Sequence, residues 1–246
     1  MSKSSDLRDL AKNQYAMQAL AWVNVDDGTD LTTHDWIFGN FTPEQLEKRV
    51  TAFQLMAGKT YDWVGIADGW PGSRTYCALW QYARPDREQT IDRALWCARS
   101  SPNIPYVLGG GSGGWFEPGV IKTGMDCSSF VAMVLARAKS GGPDWTNSKG
   151  QYMWLHTGSI YTDALNNQAL FREVEKPRPG SIFVYPDADG KQGHTGFMLT
   201  GGALTWAGTD CSSSQSRAWG DAIRLRSMEW LRSKSAAIFV EPIWWG

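Results

Sequence analysis

The chain has 246 residues, with 24 lysines and arginines against 25 aspartates and glutamates. It can bury a sizeable core, in one large domain or in one domain plus an extension, and has no net field to draw it to nucleic acid. No run of about 18 apolar residues is present, which argues against a membrane-spanning helix.

The opening stretch, Met1 to Asp9, lacks the apolar core of a signal peptide. The expectation is a chain made in the cytoplasm, and one that leaves it by some other route if its target lies outside. Cys77, Cys97, Cys127 and Cys211 are widely spaced with no Cys-x-x-Cys pair, against a zinc site or a disulfide framework. Fourteen tryptophans are many for this length. They fit either sugar contact or large aromatic cores, and the second is the commoner cause.

Residues 6–22 carry Leu7, Leu10, Ala11, Met17, Leu20 and Ala21 at helical spacing. Asp26-Asp27-Gly28-Thr29-Asp30 looks like the start of a calcium loop, but its twelfth position is Ile37 rather than Glu, so it reads as a plain loop. Thr42-Pro43-Glu44-Gln45 is a capping box with proline at the first helical position, predicting a helix to about Ala57. Tyr61 to Tyr82 is aromatic and broken by Gly69, Pro71 and Gly72, and reads as loops and short strands. Asp86 to Ser100 is a second capped helix.

The glycines from Gly109 to Gly114 lack the Gly-Lys-Ser/Thr of a phosphate loop and read as a flexible rim beside a cleft. Asp126-Cys127-Ser128-Ser129-Phe130 then opens a helix that should run to Gly141-Gly142-Pro143. Val131, Val134 and Ala138 put Cys127 on its buried stripe. Residues 144–172 read as a long connection with a short helix near 159–165. Strands are expected at 180–185, 194–200, 203–211, 222–226 and 236–240. Helices first and an antiparallel sheet after is an α+β order, with residues 1–85 as an accessory extension and 86–246 as the main domain.

Cys127 is the first candidate for chemistry. A cysteine in the first turn of a helix meets unpaired N–H groups and the positive end of the macrodipole, which favour a thiolate. The bland alternative is a buried structural cysteine, and Cys77, Cys97 and Cys211 take that reading. His194, at a strand start, is the matching general base. Of the other histidines, His34 lies in the extension, and His156 reads as structural or as a fallback base.

If Gly201-Gly202 is a two-residue turn, Leu199 faces Leu204, Phe197 faces Trp206 and His194 faces Thr209. His194, Gly196 and Met198 then share one face with Trp206 on the other. A bulge at Gly208 would bring Asp210 opposite His194, naming Asp210 as the residue that orients the base.

In order and content these stretches resemble the NlpC/p60 family of papain-like cysteine peptidases. The resemblance rests on Pro105-Tyr106-Val107-Leu108-Gly109-Gly110, Asp126-Cys127-Ser128-Ser129-Phe130, Pro177-Arg178-Pro179-Gly180-Ser181-Ile182-Phe183-Val184 and Gly193-His194-Thr195-Gly196-Phe197. It covers roughly residues 87–240. It implies a papain-like fold and cleavage of an amide in peptidoglycan stem peptides, with Cys127 as nucleophile, His194 as base and Asp210 as third polar residue.

It further implies Tyr106 beside the cysteine, and Asp126 and Ser129 on the substrate's peptide end. No cofactor or metal enters this chemistry. Asp210 stands where members usually carry His, Asn or Gln, and Ser181 where they commonly carry Asp. By the same resemblance the protein is a phage or phage-like lysin, or a bacterial effector, acting on the cell wall after release or delivery. Its rivals are a CHAP-type amidase or cross-bridge endopeptidase and, outside enzymes, a silent wall-binding protein of the same fold. Nothing in the sequence sets an oligomeric state.

Overall fold

Helix starts carry the clearest local signals, because the first N–H groups of a helix lack partners within it. Thr42 Oγ1 accepts from the Gln45 N–H at 3.2 Å and Gln45 Oε1 accepts from the Thr42 N–H at 2.8 Å, with Pro43 next in line. Asp86 and Gln89 repeat the exchange at 2.8 and 3.1 Å. The computed structural model describes residues 3–12, 14–38, 40–82, 84–100, 106–109, 125–136, 155–212 and 222–245. The described residues up to Arg84 form one compact unit, and those from Pro85 onward a second.

The first unit is helical: α1 (Lys3–Lys12), α2 (Gln14–Trp22), α3 (Thr33–Phe38), α4 (Pro43–Gly58) and α5 (Ser73–Tyr82). Leu10, Met17, Leu20, Val50 and Phe53 are fully buried and form its core. Arg49, itself buried, closes α2 by donating to the carbonyls of Leu20 (2.9 and 3.2 Å) and Val23 (2.6 Å). Its charge is met by Asp27 at 2.8 Å, and Asp27 also accepts from the Thr29 N–H at 2.9 Å. The Asp26–Asp30 loop thus serves as the terminator of a helix.

The expectation of loops and short strands over 61–82 fails. After a single 3-10 turn at Asp62–Val64 comes α5. Thr75, Ala78 and Leu79 recur at helical spacing and are buried, and that packing overrides the strand preference of Tyr76, Trp80 and Tyr82. Gln54 holds the approach, accepting from the Gly69 N–H at 2.8 Å and donating to the Trp70 carbonyl at 2.9 Å.

The second unit is α+β. Its six-stranded sheet is antiparallel throughout, in the order β1-β6-β2-β3-β4-β5. The strands are β1 (Phe171–Val174), β2 (Ile182–Tyr185), β3 (His194–Met198), β4 (Ala207–Cys211), β5 (Ile223–Ser227) and β6 (Ile238–Pro242). β1 falls where the sequence suggested only a connection. Its four residues are too few to show a period, and its start is set from a distance. The carboxylate of Asp163, fully buried, accepts from the N–H groups of Ala169, Leu170 and Phe171 at 2.9–3.1 Å.

Helix α6 (Arg87–Ser100) and helix α7 (Cys127–Val134) complete the part that frames the site. All eight residues of α7 are buried, so no stripe distinguishes one face. The helix stops well short of Gly141, at Leu135 and Ala136, where φ is +51°. Arg93 of α6, also buried, donates to the Val134 carbonyl at 3.2 Å, a cation on the negative end of α7. Phe130 meets Phe197 of β3 edge to face at 5.5 Å.

Ala138, Trp145, Trp154 and the glycines from Gly110 to Gly114 lie outside the described residues. Helix α8 (Thr157–Thr162) runs into a π turn at Asp163–Asn167, close to the short helix expected there. No described helix is long and apolar enough to cross a membrane.

Ser181 after Pro179-Gly180 has a partner in Glu241 of β6, which is completely buried. The Ser181 hydroxyl donates to Glu241 at 3.0 Å, Arg178 reaches it at 2.5 and 3.0 Å, and Arg87 at 3.0 Å. The acid therefore arrives from β6 and ties it to β2 and α6. At the end of the chain, the indoles of Trp244 and Trp245 donate to the Pro85 carbonyl at 2.9 and 2.8 Å.

Candidate active site

Cys127 occupies the first position of α7, with Asp126 as N-cap. Asp126 Oδ1 accepts from the Ser129 N–H at 2.8 Å and from the Ser128 hydroxyl at 2.9 Å, while Oδ2 accepts from the Gly109 N–H at 3.0 Å. One carboxylate thus caps the helix and pins the Tyr106–Gly109 segment to it. A parallel bridge between Tyr106 and Met125, with the Val107 N–H donating to the Met125 carbonyl at 3.0 Å, makes a second tie. The resemblance assigns Asp126 and Ser129 to the substrate. Here both are buried, their described bonds lie within the fold, and neither lines the cleft.

The predicted hairpin register is corrected by three residues. The ladder runs Gly196↔Asp210, Phe197↔Thr209 and Met198↔Gly208, and the chain turns over Gly201–Leu204 within a longer connection bridged by Thr200 and Thr205 rather than in a two-residue hairpin. Gly201 is glycine for another reason: a Cβ there would lie 2.0 Å from the Pro177 carbonyl oxygen. Trp206 joins Met198 in one apolar cluster instead of taking the opposite face. No bulge is needed at Gly208, which pairs in regular register and would press a Cβ to within 2.2 Å of the Phe197 carbonyl.

The correct register makes His194 and Asp210 diagonal neighbours on one face, with Gly196 opposite Asp210. A side chain at Gly196 would meet Asp210 Cβ at 2.8 Å, so its absence clears the diagonal. His194 Nε2 lies 2.6 Å from Asp210 Oδ2, with the Asp210 side chain wholly buried and that of His194 12% exposed. Cys127 lies near enough to His194 to favour its protonated form. With Nε2 engaged by Asp210, Nδ1 is the ring nitrogen left for a reacting group.

Burial disfavours charge on His194. The bond to Asp210, with Asp210 and Cys127 as its neighbours, outweighs it and pushes the imidazole up to about 9. Asp210 is likewise opposed by burial, but His194 and Arg226 hold it below the usual carboxylate range.

Arg226 of β5 is the residue that sequence reasoning missed. Its Nη2 meets the same Asp210 oxygen that His194 uses, and its guanidinium lies 5.3 Å from the Trp230 ring centre. The one available signal was alternation in Ile223-Arg224-Leu225-Arg226, which gives no hint of the strand beside it. A cleft of about 350 Å³ opens at this point, walled by Tyr106, Tyr185, His194, Arg226, Trp230 and Lys234, among others.

Cys127, only 4% exposed, is not among the residues that line this cleft. Tyr106 accepts from Gln192 Nε2 at 2.6 Å, and burial together with the charge of Cys127 pushes its hydroxyl up to about 12. It therefore keeps its proton at neutral pH. His156 does not join the group: its Nδ1 accepts from the Ser159 N–H at 3.3 Å as the N-cap of α8. Cys97 and Cys211 are buried, and burial raises the Cys97 thiol far out of the reactive range.

The described residues contain no group of three or more His, Cys, Asp or Glu able to hold a metal ion. What the arrangement can do is nucleophilic catalysis: a thiol at a helix start, an imidazole near it, and a buried carboxylate fixing that imidazole. Comparison with models of known protein families finds no match to the chain, and comparison with characterised proteins finds none either.

Proposed function

We propose that this chain is a cysteine amidohydrolase of the NlpC/p60 type with a papain-like catalytic unit, cutting an amide in peptidoglycan stem peptides. The observation that carries the reading is His194 held at 2.6 Å by the buried Asp210, with Cys127 at the start of α7 near enough to help raise the imidazole. Four motifs in family order supply the substrate class.

In this mechanism His194 enters as imidazolium and Cys127 as thiolate. The sulfur attacks the amide carbonyl carbon, and the oxygen takes the charge. The Cys127 N–H, a first-turn donor outside the set bonded to Asp126, and the Tyr106 hydroxyl receive that oxyanion. Nδ1–H protonates the departing amine as the C–N bond breaks, leaving a thioester. The now neutral imidazole takes a proton from water, whose oxygen displaces the sulfur. The acid leaves and the thiolate–imidazolium pair returns. Asp210 stays ionised throughout and keeps the imidazole in place.

The test is digestion of purified sacculi with the new termini read by mass spectrometry. A new stem-peptide terminus supports the reading. A freed muramoyl lactyl carboxylate would point to the amidase chemistry instead. Cys127→Ala should abolish lysis while leaving the melting temperature within a few degrees; lysis at the wild-type rate would refute the assignment.

A further inference from the structure

The cleft beside His194 is lopsided in charge. The charged side chains that line it are His194, Arg226 and Lys234, all of them bases, and no acidic side chain stands among its described lining. Asp210 lies behind it with no exposed side-chain surface.

Both outer cations rest against aromatic walls. The Arg226 guanidinium lies 5.3 Å from the Trp230 ring centre, and Lys234 Nζ lies 5.5 Å from that of Tyr185. A cation stacked this way is held at the rim and has less conformational entropy to lose when an anion arrives. Lys234 has no carboxylate partner among the described residues. Arg226 uses Nη2 on Asp210 and is nearly one-third exposed, so part of a five-donor guanidinium still faces the cleft. Neither residue belongs to the motifs that carry the family resemblance.

We infer that this cleft selects peptides bearing a free carboxylate beside the scissile amide, with Lys234 and the outer edge of Arg226 as the selecting cations. The inference rests on Cys127 and His194 being the reacting pair. Lys234 reads the anion as a point charge, whereas Arg226 offers fixed N–H donors that suit the planar carboxylate. An amidated peptide of the same shape would leave Lys234 desolvated without an anion and the outer edge of Arg226 unused, and would be rejected.

The experiment uses the full-length Cys127→Ala protein and two probes: muropeptides released from sacculi, and the same muropeptides with their free carboxylates converted to carboxamides. Titration calorimetry at moderate salt measures each Kd. The native muropeptides should bind at least tenfold more tightly. That preference should shrink to under threefold in Lys234→Gln/Cys127→Ala and should weaken in high salt. Lys234 is exposed, so its replacement leaves the fold intact.

Equal affinity for the two probes, tighter binding of the amidated one, or no binding of either at millimolar concentration would overturn the inference. Wild-type hydrolysis of sacculi is scored separately. Loss of that activity would sink the enzyme reading without touching the binding preference, and a lost preference with intact hydrolysis would do the reverse.

Discussion

Replacing Asp210 by Asn keeps the size of the side chain and its acceptor oxygen but removes the buried charge. His194 stands at about 9 instead of 6.5. That difference corresponds to about 3 kcal/mol in favour of imidazolium, at about 1.4 kcal/mol for each tenfold in proton affinity. Cys127 contributes part of it. A hydrogen bond to an ionised partner is worth about 1.5–3 kcal/mol, so the carboxylate's share is about 2 kcal/mol. If that share is lost from the transition state, kcat/KM falls about 30-fold, and a guanidinium left beside the imidazole adds to the loss.

The assay is release of soluble fragments from purified walls across pH 5–10. The alkaline limb should move from near 9 to the neutral range, and imidazole NMR of His194 should follow it. Activity within threefold of wild type, together with an unmoved alkaline limb, would refute the role given to Asp210.

Stability should carry the same signature. His194 is raised from 6.5 to about 9 on folding, so its contribution is complete below 6.5 and is lost as pH rises through 9. Asp210 is lowered from 3.8, so its contribution is present above 3.8 and is lost on acidification. Denaturant midpoints for the second unit should therefore be higher at pH 6 than at pH 9.5, and Asp210→Asn should flatten the difference. Gly196→Ala forces a Cβ to within 2.7–2.8 Å of Thr209 O, Asp210 Cβ and Phe183 Cε1. It should cost about 1–3 kcal/mol in chemical denaturation and lower activity as well, since β3 and β4 must part. Glu241→Leu strands Arg87, Arg178 and Ser181 around an apolar side chain. A loss of about 3 kcal/mol is expected, read as a lower melting temperature at unchanged KM.

Much of this was legible in sequence because it is local. The caps at Thr42 and Asp86, and the polar residues around Cys127, announce helix starts within four residues. Alternation exposed five of the six strands. β1 escaped because its register comes from β6 and its start from Asp163, neither adjacent in sequence. The β3–β4 register escaped because Gly201 and Gly208 look like turn and bulge glycines, while each in fact makes room for a backbone carbonyl. Asp210 was still named correctly as the neighbour of His194, though by a bulge that does not exist. Arg226 could not be named without knowing that β5 lies beside β4.

His194, the Asp210 that anchors it and the Arg226 that meets that acid sit one each on β3, β4 and β5, three strands in succession. Activity is thereby coupled to parity: a one-residue slip at either hairpin turns one member to the opposite face while the sheet itself could still pair. Loop length and ladder register are separate variables here. The connection at 199–206 can change length so long as the pairing of Gly196 with Asp210 and of Gly208 with Arg226 is kept. Under the proposed function, turnover reports correct hairpin pairing more sharply than sheet content does, and a library with a randomised 199–206 connection should sort for register by wall lysis.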